Sequence, residues 1–387
     1  MKKSWLISLL TFVLMLVSCG SNTDRVEVSR CVVDPTCLTE GYTEHTYSDG
    51  YVCRDTFIEK IDHDYLDFTI GEEKHVYRSM CRYCGKERVE YIEEEISTEV
   101  TINRNRERPV FTGYDVIAVA MIIERTPDDA IRAIRKAEKH GAYGFMIYVS
   151  CLDWEYRTLE HLERIMYCTD LPILAIAYSV SLFQPQNLSY EYMVDLLKLS
   201  VQAGASAVDL QAFTYGDFAN TTQTLHDYRS YWEEKGFDMS FANYNPKEVC
   251  ADPAVLEKQK KVIDDIHAMG GEVLLSVHAN VAMPAEQTLA LGKFIEAQGV
   301  DVVKLVLGGS TKETVIEHLK SCIIMEREMD CKFSVHGQST LSRLMGPMFG
   351  SYIAFCVDEY TPVETNIQID LETMIAILNS PELKGNS

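Results

Sequence analysis

Two charged residues sit inside otherwise apolar runs of this sequence. Leu275-Ser276-Val277-His278 ends in a histidine, and Val302-Val303-Lys304-Leu305-Val306 is interrupted by a lysine. Burying a charge in an apolar strand is costly, so both positions point to chemistry. A lysine in such a run should have a depressed pKa, which frees a neutral amine to attack a carbonyl. The plainer alternatives are a lysine that snorkels to the rim or one paired with a carboxylate such as Asp209. His278, on the neighbouring run, reads as the base beside a Schiff-base amine. An iminium acidifies the proton α to it, and imidazole titrates near neutrality, so one ring can act as base and then as acid. His336-Gly337 ends a later run with another histidine, either a substrate contact or a packing residue. Gly308-Gly309-Ser310-Thr311 reads as a phosphate cradle at a helix start or, more plainly, as a turn plus N-cap.

These residues need strands to hold them. From about residue 110 onward, apolar runs alternate with amphipathic helical stretches. Eight runs read as strands: Val116–Ile123, Gly144–Ser150, Pro172–Ser179, Ala207–Phe213, Glu272–Ala279, Asp301–Gly308, Lys332–Gly337 and Tyr352–Asp358. Helices are predicted over Pro127–His140, with Thr126 as N-cap and Gly141 past its end, and over Tyr190–Ala203, Pro253–Met269 and Pro284–Gln298. Near-continuous apolar runs, each followed by a helix, are strands buried on both faces of a parallel sheet. Eight such units over 110–387 fit an α/β fold of the (β/α)8 TIM-barrel type. A doubly wound open sheet is the alternative, but no Gly-x-Gly-x-x-Gly follows the first run. After the fourth run, about 40 residues carry Tyr215, Phe218, His226, Tyr228, Tyr231, Trp232, Phe237 and Tyr244. Their aromatic density argues against disorder, and barrel geometry places them over the carboxyl-end face as an expected lid.

Residues 25–108 form a different region, polar and strand-like by alternation, and read as a small Cys-rich β-repeat domain. Of the 12 cysteines, Cys31, Cys37, Cys53, Cys81 and Cys84 crowd here, while Cys151, Cys168, Cys250, Cys322, Cys331 and Cys356 are scattered. The scattered set reads as small core residues. Tyr47-Ser48-Asp49-Gly50-Tyr51-Val52-Cys53 lines up with Arg78-Ser79-Met80-Cys81-Arg82-Tyr83-Cys84 at an offset of 31 residues. This resembles the short cysteine-bearing β repeats of surface proteins. Cys37, Cys53, Cys81 and Cys84 can form a four-thiolate zinc site, or one or two disulfides, or remain thiols of a vestigial repeat.

Residues 1–19 carry a basic start at Lys2 and Lys3 and a 13-residue apolar stretch, Trp5–Val17, too short to span a membrane. Leu16-Val17-Ser18-Cys19-Gly20 resembles a bacterial lipobox, which implies lipid attachment at Cys19 and an extracytoplasmic, membrane-anchored protein. The chain has 36 Lys+Arg against 58 Asp+Glu, a net charge of −22. Phosphate backbones repel such a protein, so nucleic acid is excluded as a partner class.

His278 in Leu-Ser-Val-His, Lys304 in Asp-Val-Val-Lys and Arg343 in Leu-Ser-Arg-Leu-Met-Gly resemble the corresponding segments of type I 3-dehydroquinate dehydratases. Leu341 to Leu378 is similar nearly throughout, including Met348-Phe349-Gly350-Ser351 and Asp370-Leu371-Glu372. The likeness spans roughly 113 to 380. It implies that Lys304 forms an iminium with a substrate ketone, that His278 shuttles the proton, and that Arg343 clamps a carboxylate. The family's acidic and basic pair on strand two falls on Met146 and Tyr148, its strand-three arginine on Tyr178, the acid four residues on at Leu182, and its strand-four glutamate on Gln211. In the last loop Thr361 stands for a serine and Asn366 (or Thr365) for a glutamine. The substrate-binding set expected is therefore Arg343, Thr361, Asn366, Tyr178, Tyr148 and His336. The function expected is a lyase eliminating water from a polyhydroxylated cyclic ketone, with no cofactor for catalysis and zinc only as a structural ion. Alternatives are a class I aldolase-like carbon–carbon lyase and a non-catalytic ligand-binding surface lipoprotein. The partners expected are a small hydroxy-ketone, the membrane through the N-terminal lipid, and a second copy of the chain in a homodimer.

Overall fold

Met1–Glu95 and Ile96–Ser387 are separate compact units. The computed structural model describes residues 25–62, 69–70, 76–81, 84–91, 96–178, 188–358 and 367–380. Cys19, Leu182, Thr361, Thr365 and Asn366, singled out above, lie outside the described residues.

In the first unit β1 (Glu27–Val33), β2 (Gly41–Tyr47) and β3 (Val52–Ile58) form one antiparallel sheet. A second contains β4 (Thr69–Ile70), β5 (Val76–Met80) and β6 (Glu87–Tyr91). The β2–β3 turn uses Asp49-Gly50, with Gly50 at φ +81° as such a reversal requires. Among the side chains described in this unit, the buried apolar ones are Cys53 and Cys81, and Thr43 and His45 are buried polar. His45 lies 3.2 Å from Glu27 and 3.1 Å from Asp55.

The unit boundary lies earlier than the expected 108–110. Residues 96–108 join the second unit because their arginines tie down helix ends. Arg104 makes a bidentate pair with Glu163 at 2.7 Å, Arg106 bonds the Met166 carbonyl and Asp170, and Arg108 bonds the Val201 carbonyl.

All eight expected runs are parallel strands: β7 (Ile117–Ile122), β8 (Gly144–Tyr148), β9 (Ile173–Ile176), β10 (Ala207–Gln211), β11 (Glu272–His278), β12 (Val302–Val306), β13 (Lys332–His336) and β14 (Ile353–Val357). Around them stand α1 (Pro127–Lys139), α2 (Leu159–Met166), α3 (Tyr190–Gln202), α4 (Thr221–Asp227), α5 (Arg229–Glu234), α6 (Pro253–Ala268), α7 (Ala285–Glu296), α8 (Lys312–Glu328), α9 (Thr340–Met345) and α10 (Leu371–Leu378). Thr126 caps α1 by accepting from the Asp129 amide, as its sequence predicts. The sheet runs β13-β12-β11-β10-β9-β8-β7-β14, and a two-residue β15 (Ile369–Asp370) pairs with the upper end of β14. Tyr352 N donates to Phe333 O at 2.7 Å and Val335 N to Ser351 Oγ at 3.1 Å, linking the two ends of the sheet. The result is a curled (β/α)8 sheet with β15 beside β14 on the flank toward β13.

The apolar residues divide by face. One cluster (Ala118, Ala120, Phe145, Ile147, Val208, Leu275, Val303 and others) packs strands against helices. The other, including Ile117, Val119, Met146, Leu174, Leu274, Val302 and Phe355, fills the interior. Phe111, fully buried, belongs to this inner cluster, and its carbonyl accepts from the Tyr352 hydroxyl. Glu272 accepts from the amides of Phe111 and Thr112, anchoring the segment at the amino end of β11.

The long connection after β10 is not a loose cover. It folds into α4, α5 and short 3₁₀ turns, and Trp232, Phe237 and Phe241 pack on Phe294 of α7 at 5.3, 5.6 and 5.7 Å between ring centres. Trp232 Nε1 donates to Ala251 O at 2.7 Å. Most of its aromatic density is thus a local core against the outer wall.

Candidate active site

Strand register stacks the chemistry-bearing residues. Ser276, Lys304 and Ser334 are level across β11, β12 and β13, and two residues further toward the carboxyl end His278, Val306 and His336 are level. Side chains at every second position share a face, so Lys304 projects with Val302 toward the interior. Its side chain is only 6% exposed and its ammonium donates to Asp209 Oδ2 at 2.9 Å, with the Asp209 side chain fully buried. The lysine is therefore not buried without a counter-charge, as the simplest sequence expectation has it; it sits in a buried ion pair with the residue named there as the alternative. Among the described residues Asp209 Oδ1 has no hydrogen-bond partner. Lys304 Nζ also stands 4.9 Å over the Phe355 ring.

His278 caps β11 and is held by a residue that sequence reasoning missed. Its Nδ1 lies 2.6 Å from Glu248 Oε2, and its Nε2 lies 3.4 Å from the Tyr178 hydroxyl. A carboxylate only accepts, so Nδ1 donates to Glu248, and in the neutral ring that tautomer turns the Nε2 lone pair to the Tyr178 side. Glu248 comes from the connection before α6 and takes φ +57°, a left-handed conformation that costs a glutamate about 1–3 kcal/mol. That strain is offset where the side chain meets the histidine. No periodicity or motif marks Glu248; the only signal is that the long connection was expected over the carboxyl-end face.

Arg343, in α9 after β13, donates from Nη1 to Gln368 Oε1 at 3.0 Å, and its buried Nε has no partner among the described residues. Burial lowers its pKa to about 10, with the nearby Tyr148 phenol opposing. Among the described residues no carboxylate pairs with it, so a substrate anion would find a desolvated guanidinium with donor capacity to spare. His336 is buried, its ring lies at 5.4 Å from the Phe355 ring, and among the described residues neither ring nitrogen has a hydrogen-bond partner. Burial first, then the charges of Arg343, Lys304, His278 and His318, hold its pKa well below the ordinary value. A neutral imidazole thus lies among cations.

The aromatic residues that replace the expected charged shell face this group. Tyr148 and Tyr178 stand 5.9 Å apart, and burial with the Asp209, Tyr148 and Glu248 charges raises the Tyr178 pKa well above its ordinary value. Its phenol stays a donor. Gln211 is buried on β10. The Gly308-Gly309-Ser310-Thr311 turn takes the plainer form: Thr311 caps α8, and a Cβ on Gly308 would meet the Asn280–Val281 backbone at 2.7 Å. Lys304, His278, Arg343, His336, Tyr148 and Tyr178 are thus brought to one region.

No protein-family sequence model matches the chain, and no curated protein matches it in sequence. Solved structures do resemble it. The type I 3-dehydroquinate dehydratase of Clostridium difficile, solved with covalently modified comenic acid, is 16% identical with a TM-score of 0.51, over 72% of this chain and 94% of that one. The 3-dehydroquinate dehydratase of Geobacillus kaustophilus HTA426 is 17% identical with a TM-score of 0.54, over 76% of this chain and all of that one. The second unit is therefore a TIM-type barrel with a distant structural relation to these dehydratases. The fold is what the likeness establishes.

Proposed function

We propose that the barrel is a Schiff-base lyase of the 3-dehydroquinate dehydratase type, removing water from a small polyhydroxylated cyclic ketone that carries a carboxylate. One observation carries the reading: Lys304 is buried against Asp209, one strand from a histidine whose Nδ1 is held 2.6 Å from Glu248 and whose Nε2 is turned to the Tyr178 side. Lys304 passes a proton to Asp209, whose Oδ1 is unpartnered, and the neutral amine adds to the ketone carbon. The carbinolamine loses water to give the iminium. His278 Nε2 takes the α-proton, the enamine expels the β-hydroxyl with that proton returned to it, and water releases the product and the lysine. The net change is loss of one water.

Arg343 holds the substrate carboxylate. Met146, Tyr148 and Tyr178 give the opposite wall an uncharged, partly aromatic surface, which favours a substrate less hydroxylated on that side than dehydroquinate itself. The covalently modified ligand of the Clostridium difficile neighbour is in keeping with covalent chemistry in this fold.

Borohydride reduction of the purified protein with dehydroquinate and related ketones, followed by peptide mass mapping, tests the reading. An adduct on Lys304 that vanishes in Lys304→Ala supports it. No adduct from any ketone, with the barrel folded, overturns it and favours the second reading. That reading, a ligand-binding barrel, is motivated by the Lys304–Asp209 pair, which neutralises the lysine without any substrate. Aldehyde products in place of a conjugated enone would mark an aldolase-like lyase. Attachment to a membrane through lipid at Cys19 belongs to the same proposal, and incorporation of labelled palmitate that is lost in Cys19→Ser would support it.

A further inference from the structure

The N-terminal unit holds a cluster that the barrel chemistry does not use. Cys37, Cys81 and Cys84 place their sulfurs within 4.8 Å of one another, with Cys37 Sγ and Cys81 Sγ 3.7 Å apart. Zinc binds thiolate at about 2.3 Å in tetrahedral geometry, which sets the sulfur–sulfur edge at about 3.8 Å. A disulfide would need about 2.05 Å. All three residues are thiols, whereas Cys53, the fourth residue of the expected site, is tied up in a disulfide and does not join the group. The four-cysteine expectation is corrected to three.

The two loops that bear the cluster are fixed by their own backbones. At Cys81–Cys84 the Gly85 amide donates to Cys81 O and the Cys81 amide to Lys86 O, both at 2.9 Å, with Gly85 at φ +68°. At Cys37 the Thr36 hydroxyl accepts from the Leu38 and Thr39 amides at 3.1 and 3.0 Å. The first loop joins β5 to β6 and the second joins β1 to β2, so the sulfurs bridge the two small sheets. Crowding three thiols in a part-buried site has no evident packing benefit, but a soft divalent ion makes it favourable. Among the side chains described in this unit only Cys53 and Cys81 are buried apolar ones, and small domains with thin apolar cores depend on staples.

We propose that Cys37, Cys81 and Cys84 bind one zinc ion that holds the two N-terminal sheets together. Binding displaces three thiol protons to solvent and forms three Zn–S bonds, with a water in the fourth position and no change of oxidation state.

The full chain, purified in reductant and dialysed, is titrated with zinc, and its metal content is measured by mass spectrometry. One zinc per chain is expected. Iodoacetamide labelling with peptide mapping is the second readout: Cys37, Cys81 and Cys84 are protected with zinc and labelled after chelation, whereas exposed Cys31 labels in both states. Cys84→Ser loses the zinc and Cys31→Ser keeps it. Because the labelling uses the unmodified protein, an unfolded variant does not decide the matter. Absence of zinc uptake, unchanged labelling on chelation, or a mapped disulfide among the three cysteines in protein prepared without reductant each overturns the proposal.

Discussion

The two halves of the barrel interior are built from opposite residue types. β10 to β13 contribute Asp209, Gln211, Ser276, His278, Lys304, Ser334 and His336, whereas β7 to β9 and β14 contribute Val119, Met146, Tyr148, Ile176 and Phe355. The polar half holds its polar groups in pairs, Lys304 with Asp209 and His278 with Glu248, and the other half supplies the Phe355 ring under the Lys304 ammonium. The difference teaches where constraint lies. Acid–base and imine chemistry needs a fixed geometry between a few polar atoms, and those come from adjacent strands in register. Recognition needs only a wall of suitable shape, which can change from charged to aromatic without disturbing the reacting atoms.

Breaking the polar half should give the largest effect. Lys304→Met leaves Asp209 buried without its counter-charge and is expected to cost about 3–5 kcal/mol by urea unfolding. The double variant Lys304→Met/Asp209→Leu should recover most of that stability while remaining unable to form the borohydride adduct. Equal destabilisation in both variants would show that the two side chains are not energetically coupled. His278→Ala should lower turnover by about 10²–10⁴-fold and leave the adduct on Lys304 detectable. Glu248→Gln acts through His278 as a positioning change. We expect a fall in kcat of about 100-fold with KM little altered. An unchanged kcat would make Glu248 a structural residue only.

What the sequence disclosed follows the same division. The eight strands were legible because residues buried on both faces form unbroken apolar runs, and Lys304 stood out because it interrupts one. Thr126 was legible because a cap is a local signal. Glu248 was not, since a loop residue has no period and its reach depends on how the preceding insertion folds. That insertion was read as a lid from its aromatic density, yet Trp232, Phe237 and Phe241 spend it on Phe294. Arg104, Arg106 and Arg108 fall by composition within the polar 25–108 region, because arginines that bond helix-end carbonyls leave no pattern of their own. Cys53 could be grouped with its neighbours by spacing, but whether it pairs covalently is decided in three dimensions.

The smallest expected effect concerns His336, at the seam where the polar half meets Phe355. Its folded-state pKa lies well below the ordinary 6.5, through burial and the surrounding cations. In the unfolded chain the ring takes a proton as pH falls through about 6.5, while in the folded barrel it does not. The unfolded state therefore binds more protons in that range. The stability associated with a neutral His336 is complete above pH 6.5 and is lost as pH falls toward the folded-state value, at up to about 1.4 kcal/mol per pH unit. His336→Gln removes this titration, so its urea-unfolding free energy should fall less steeply between pH 6.5 and 5 than that of the unmodified protein. His318, whose pKa is also lowered by burial, contributes in the same direction and remains in the variant, so the slope should shrink and not vanish. The same slope in both proteins would mean that the cavity around His336 admits the charged ring, and the contrast between a titrating half and an inert half would fail at that seam.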